Sequence, residues 1–251
     1  MIISEGIVIR ERPVGEQDKF IDLLTRESGV IEVYVRGARK TSGKSGSASQ
    51  LFAYSRFCLE MRGERLYFNS AEPIHIFYGL RSSLTKFALA SYFSEVISDC
   101  IYRESQSIDV LRLFLNCLYF LENGRRSEAF LKALFELRLM SEIGFMPDII
   151  MCRSCGAFEP EELFFCVDDG SFYCSDCFEG DEDSEDYRNV CKGTLEAVRH
   201  IVLTDFKRTF NFRVSDKVQS ELSDFAEAYL ICHLEKEFVT LGFYKGLLPG
   251  N

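Results

Sequence analysis

The chain has 251 residues, 47% of them hydrophobic, with 23 phenylalanines and no tryptophan, which supports a sizeable buried core and excludes a disordered or collagen-like polypeptide. Its net charge of −10 argues at face value against a nucleic-acid partner, yet residues 151–190 alone hold 2 basic and 12 acidic side chains, leaving the remainder neutral. No apolar run reaches the length of a membrane span, and Met1-Ile2-Ile3-Ser4-Glu5 lacks the basic start and apolar core of a signal peptide. A cytoplasmic protein with its 10 cysteines reduced is therefore expected.

Residues 1–79 read as β. Ile7-Val8-Ile9, Phe20 to Leu24 and Val30 to Val35 are apolar runs parted by turns at Pro13–Gly15 and Gly29. Phe57, Leu59 and Met61 then alternate with Cys58, Glu60 and Arg62, and a Gly63-Glu64 turn precedes Leu66-Tyr67-Phe68. Five short strands of this kind predict a small OB-type barrel, an architecture that commonly binds oligonucleotides.

Between the third and fourth strands, Arg36, Arg39, Lys40 and Lys44 lie in a Gly/Ser-rich stretch. From Val33 to Leu59 there are five basic residues and no acidic one. Such a composition fits a solvated loop, and it equally fits a basic arm that closes over phosphates. Gly37…Gly43-Lys44-Ser45 is close to a P-loop but has five residues between its glycines where the motif needs four. No helix is expected after it, so a nucleotide hydrolase using Lys44 is disfavoured.

From Leu80 the apolar period becomes helical. Leu84 to Val96, Val110 to Leu121 and Phe130 to Met140 trace three stripes, the second ending at Asn123-Gly124. Arg125, Arg126 and Lys132, near the start of the third, read either as solvated surface or as a seat for an acidic peptide. Leu195, Val198, Val202 and Phe206 predict a further helix, and Val218 to Phe238 a longer one. These stripes bury one another in a bundle, giving a helical domain over 80–150 and 191–251 with residues 151–190 inserted.

That insert carries Cys152-Arg153-Ser154-Cys155 and Cys174-Ser175-Asp176-Cys177. Two C-x₂-C pairs at this spacing predict one zinc ion held by four thiolates, a closed and hence structural site. Phe164 to Val167, the Asp168-Asp169-Gly170-Ser171 turn and Phe172-Tyr173 fit a hairpin between the pairs. Cys166, within the hairpin, is an alternative ligand. Residues Glu179 to Asp186 read as a solvated acidic connector. No catalytic constellation is evident: the three histidines, His75, His200 and His233, are scattered, and no nucleophile elbow occurs. An enzyme is not expected.

Taken in order, Glu5-Gly6-Ile7-Val8-Ile9, Gly15-Glu16-Gln17-Asp18-Lys19, Leu24 to Gly29, Arg36-Gly37-Ala38-Arg39-Lys40, Ser70-Ala71-Glu72, Phe135 to Leu139, Gly144-Phe145-Met146-Pro147 and the cysteine frame resemble the bacterial RecO family of recombination mediators. The resemblance is good over residues 1–178 and weak in the final helices. It implies an α+β protein with an OB-fold, a helical domain and an inserted four-cysteine zinc ribbon. It further implies binding of single- and double-stranded DNA, strand annealing, and docking to the acidic C-terminal tail of single-strand-binding protein. With RecR, such proteins help load RecA. Arg36, Arg39 and Lys40 match the family's basic motif, and Lys44 extends it within the same loop. Tyr54 or Tyr67 would stack unpaired bases. The ending Leu241-Gly242-Phe243-Tyr244-Lys245-Gly246 departs from the family's basic terminus. A zinc-ribbon interaction scaffold without DNA binding is the competing reading, favoured locally by the acidic ribbon.

Overall fold

The computed structural model describes residues 1–38, 44–102, 107–181 and 184–248. They fall into two compact units, Met1–Arg125 with Phe238–Asn251, and Arg126–Glu237. The fold is α+β: a closed five-stranded barrel followed by helices and a three-stranded ribbon.

In the first unit, β1 (Ile2–Val14), β2 (Asp18–Thr25), β3 (Val30–Val35), β4 (Ala53–Arg62) and β5 (Arg65–Ile76) close in the order β1-β2-β3-β5-β4. All pairs are antiparallel except β3 with β5. Period-2 patterning sends Val8, Ile21, Leu23, Val33, Val35, Phe57, Leu59 and Leu66 into one core, the inward half of each strand's alternation. This is the OB arrangement, including a helix between the third and fourth strands. That helix, α1 (Lys44–Ala48), stands where the Ser/Gly composition predicts a loop. Tertiary contacts override the weak propensity: Ala48 is fully buried, its carbonyl accepts from Ser55 Oγ at 3.0 Å, and Lys19 Nζ reaches Ser49 O at 2.7 Å.

Two helices follow the barrel in this unit, α2 (Leu84–Cys100) and α3 (Ile108–Glu122). Ser83 caps α2 by accepting from Lys86 N. Phe52, fully buried at φ +63°, lies edge-on to Phe87 and Phe114 at 5.5 and 6.4 Å between ring centroids.

The second unit holds α4 (Glu128–Glu142), β6 (Glu162–Cys166), β7 (Phe172–Cys174), β8 (Tyr187–Cys191), α5 (Lys192–Leu203), α6 (Phe206–Thr209) and α7 (Asp216–Leu234). α8 (Val239–Lys245) groups with the barrel, as do α2 and α3, while α4, α5 and α7 group with the ribbon. The periodic stripes do not reveal this division.

Three elements differ from expectation. Phe206 does not continue α5, because Thr204 and Asp205 turn extended and Phe206 opens α6. Phe238 does not continue α7, which ends at Glu235 in the left-handed region at φ +49°. The ribbon gains a third strand, β8, which pairs with β6 from Glu162↔Cys191 to Cys166↔Tyr187, so the acidic connector ends in a sheet. The ribbon is seated by aromatic packing: Phe165 lies 3.9 Å from Phe225 of α7, centroid to centroid. At the Gly170 turn, φ is +66° and an added Cβ would meet the Tyr229 ring at 2.8 Å, so only glycine fits.

Candidate metal centre and nucleic-acid interface

The two cysteine pairs converge. One sulfur from each of Cys152, Cys155, Cys174 and Cys177 lies within 4.8 Å of all the others, with Cys155 Sγ 3.6 Å from Cys174 Sγ. Each pair sits on a tight turn. Gly156 N donates to Cys152 O at 2.9 Å with Gly156 at φ +76°, and Cys177 and Phe178 N donate to Cys174 O at 2.9 and 3.0 Å. The β6–β7 pairing carries one turn to the other, and Arg199 of α5 ties the first turn's flanks to the unit by donating to Ile149, Ile150 and Phe158 carbonyls at 2.6–2.8 Å.

Burial pushes the Cys152 thiol up, but the backbone N–H groups of Cys155, Cys174 and Ser154 outweigh it and bring it down to about 6. Cys177 goes the other way, to about 12, through hydrogen bonding with Cys174 and Cys155 and through burial. Four soft donors at this spacing suit a tetrahedral thiophilic cation and leave no open ligand position. Cys166 is not among them: it ends β6 beside the Asp168–Asp169 turn, outside the four-sulfur cluster.

On the barrel, Arg36 follows β3 and is exposed, and Lys44 opens α1. Arg39 and Lys40 lie outside the described residues. The start of this basic segment is latched. The Asp18 carboxylate accepts from Gly37 N at 2.7 Å and from the Tyr34 hydroxyl. These donors, the Gly37 amide foremost, hold the Asp18 carboxyl below its usual range. With a depressed folded-state pKa, the latch is complete at neutral pH and is lost as pH falls through that value. The Gly37 amide resonance is therefore expected to titrate with a midpoint below the ordinary aspartate value of about 3.9. A midpoint at or above it would show that the latch does not form in solution.

The sequence reading singles out Tyr67 on this face but not the row to which it belongs. Phe20, Tyr34 and Tyr67 stand side by side on β2, β3 and β5, through the register pairs Phe20↔Tyr34 and Tyr34↔Tyr67. Centroids are 5.1 and 5.4 Å apart, and all three rings are half-buried on the outer surface. Guanidinium groups lie over the row's ends, Arg12 and Arg65 at 5.7 and 5.5 Å from Phe20, and Arg62 at 5.1 Å from Tyr67. Strand parity carries the signal: Ile21, Val33, Val35 and Leu66 point inward, so their neighbours point out. Tyr54 does not join the row; it lies on β4 with its hydroxyl 3.2 Å from Glu5.

The three basic residues near α4 have different fates. Arg125 is exposed and lies over the Tyr119 ring at 5.5 Å. Arg126 is half-buried, donates to Phe210 O and covers Phe130. Lys132 is not a surface cation. It is 3% exposed, with Nζ 2.9 Å from Glu136 and 2.8 Å from Glu227, so its charge is neutralised inside the unit.

Comparison with known proteins agrees with this architecture. The family model described as Recombination protein O N terminal matches residues 1–77, and Recombination protein O C terminal matches residues 81–241. A protein named DNA repair protein RecO from Acetivibrio thermocellus is 32% identical over 245 residues, covering 97% of this chain and 96% of its own. Proteins of the same name from Caldicellulosiruptor saccharolyticus and Symbiobacterium thermophilum are 27% and 29% identical, each covering 97% of this chain and 98% and 96% of their own. With two family models in tandem over the barrel and the helical region, and relatives of matching length, the chain belongs to the recombination protein O (RecO) family.

Proposed function

We propose that this chain is a cytoplasmic, non-enzymatic mediator of DNA repair and homologous recombination. It binds single- and double-stranded DNA and anneals complementary strands. Together with RecR it helps load RecA onto DNA coated by single-strand-binding protein, whose acidic C-terminal tail it engages. Family membership supports the repair role, and the observation that carries DNA binding is the partition of charge. Residues 151–190 carry a net charge of −10, equal to that of the whole chain, while the stretch from Val33 to Leu59 of the barrel domain has five cations and no anion. Phosphate neutralisation dominates nucleic-acid affinity, so what matters is the local charge and not the chain's total.

In this reading Arg36, Arg39, Lys40 and Lys44 contact phosphates. Cys152, Cys155, Cys174 and Cys177 hold one structural zinc ion, which braces the ribbon and supplies no chemistry to a substrate. Arg125 and Arg126 are the cations offered to the acidic tail; Lys132, already paired, is withdrawn from that set. Charge reversal of Arg36, Arg39, Lys40 and Lys44 to glutamate should weaken oligonucleotide binding and flatten its salt dependence by about 0.7 in slope per lost contact on single strands. Fluorescence anisotropy at two salt concentrations measures both, and an unchanged slope would place the DNA face elsewhere. The acidic ribbon favours a second reading, a protein-interaction scaffold, which the wild-type chain would betray by failing to bind a labelled oligonucleotide at moderate salt.

A further inference from the structure

We propose that the outer face of the ribbon seats an arginine-bearing segment of a partner protein, in a groove lined by Tyr173, Phe178 and Tyr187 with Asp176 and Glu179. This stands apart from the DNA-binding reading, which places nucleic acid on the barrel. Strand register divides the ribbon into two faces. Leu163, Phe165 and Val190 share the face that packs on Phe225, while Phe164, Tyr173 and Tyr187 share the other. On that outer face the chain leaving the second cysteine turn folds back. Phe178 stacks on Phe164 at 3.9 Å between centroids and stands edge-on to Tyr187 at 4.9 Å. An added Cβ at Gly180 would meet the Phe178 ring at 2.8 Å and Tyr187 at 2.9 Å, so the backbone there lies directly against both rings. The groove they line, about 480 Å³, falls in the size range of ligand-binding clefts.

Charge selects the occupant. The lining residues are Ser154, Tyr173, Asp176, Cys177, Phe178, Glu179, Gly180 and Tyr187, so its only formal charges beside the cysteine are two carboxylates. Residues 151–190 contain just two basic side chains, and both are committed elsewhere: Arg153 to Asp169 at 2.6 Å and Arg188 to Asp224 at 2.7 Å. Among the described residues neither Asp176 nor Glu179 forms an ion pair, and both are exposed. Aromatic faces and carboxylates attract cations together and repel phosphate together. Arginine suits the pairing better than lysine, because its flat guanidinium stacks on rings, forks onto carboxylates and is more weakly hydrated.

The test uses the full chain and labelled octapeptides that alternate glycine with arginine, lysine or glutamate, followed by fluorescence anisotropy. The arginine peptide is expected to bind, the lysine peptide to bind more weakly and the glutamate peptide not to bind. Asp176→Asn with Glu179→Gln should weaken arginine-peptide binding by about 2- to 30-fold, the worth of two exposed charge pairs. Glu196→Gln with Glu237→Gln removes the same charge from exposed positions outside the groove and should leave binding unchanged. Tyr187→Leu should shrink the preference for arginine over lysine, which a change in charge alone would not do. Tyr173→Leu, on a different strand, should act alike, so a folding defect in one leaves the other to decide. Equal binding of the arginine and lysine peptides, or equal weakening by the two charge variants, would reduce the groove to a general attraction for cations and overturn the proposal. Self-association of the wild-type chain that the groove variant abolishes would overturn it too, since the occupant would then be a second copy.

Discussion

Cys174→Ser is expected to reduce metal content from one zinc per chain to near zero and to loosen the knuckle end of the ribbon. Cys174 is buried, its sulfur lies 3.6 Å from Cys155, and its own amide donates to Cys152 Sγ at 3.4 Å. A serine hydroxyl there is a harder, less acidic donor that cannot complete a four-thiolate shell. In small zinc domains, metal binding is worth on the order of 10 kcal/mol or more of folding free energy. This ribbon should not lose its whole structure, because its far end is held independently: Phe165 packs on Phe225, and Gly170 seats against Tyr229. Faster amide exchange should therefore be confined to residues 152–157 and 174–178, with β6 and β8 near α7 still protected. Metal analysis of the purified variant decides the matter, and one zinc still bound per chain would remove Cys174 from the ligand set.

Lys132→Ala is expected to destabilise the second unit by about 3–5 kcal/mol, the cost of leaving buried charge without its partner. That is a large share of the 5–15 kcal/mol or so that holds a typical domain together. Burial alone would lower the ammonium's pKa, but Glu136 and Glu227 outweigh it and hold the value above that of an ordinary lysine. The stabilisation is therefore fully present below the unfolded-state pKa and is lost only as pH rises through the folded-state value, far into the alkaline range. Replacing all three members with apolar residues, as Lys132→Met with Glu136→Leu and Glu227→Leu, should recover most of the loss. Urea denaturation of both variants separates the cases. A loss under about 1 kcal/mol in Lys132→Ala would mean that the triad behaves as a surface pair.

The triad also shows where local patterning stops being informative. Phe130, Ala133, Leu134, Leu137 and Met140 mark one apolar stripe on α4, which leaves Lys132 and Glu136 on an apparently polar side. In the fold α4 is buried on nearly every face, and its polar side meets α7. An i,i+4 Lys–Glu pair looks the same on a solvated helix as on a central one, and only the third partner, Glu227, distinguishes them. The barrel and the four cysteine ligands are legible because each rests on short-range regularity: alternation for strands, and fixed spacing for two thiolate turns. The aromatic row, β8 and the division of helices between two units depend on register and on packing between distant segments. For Phe20 and Tyr34 the parity is visible, but an aromatic in a strand reads as core until the strand's neighbours are known. α1 is hidden for the opposite reason, since Ser and Gly favour a loop locally and the helix exists because Ala48 enters the barrel core.

The proposed function requires the barrel, and not the acidic ribbon, to hold the nucleic acid. Amide hydrogen exchange on the full chain, with and without a single-stranded oligonucleotide, tests that most directly. The expected result is protection on binding across residues 18–50 and 62–68, with residues 151–190 exchanging as in the free protein. Protection of the ribbon with none in the barrel would contradict it.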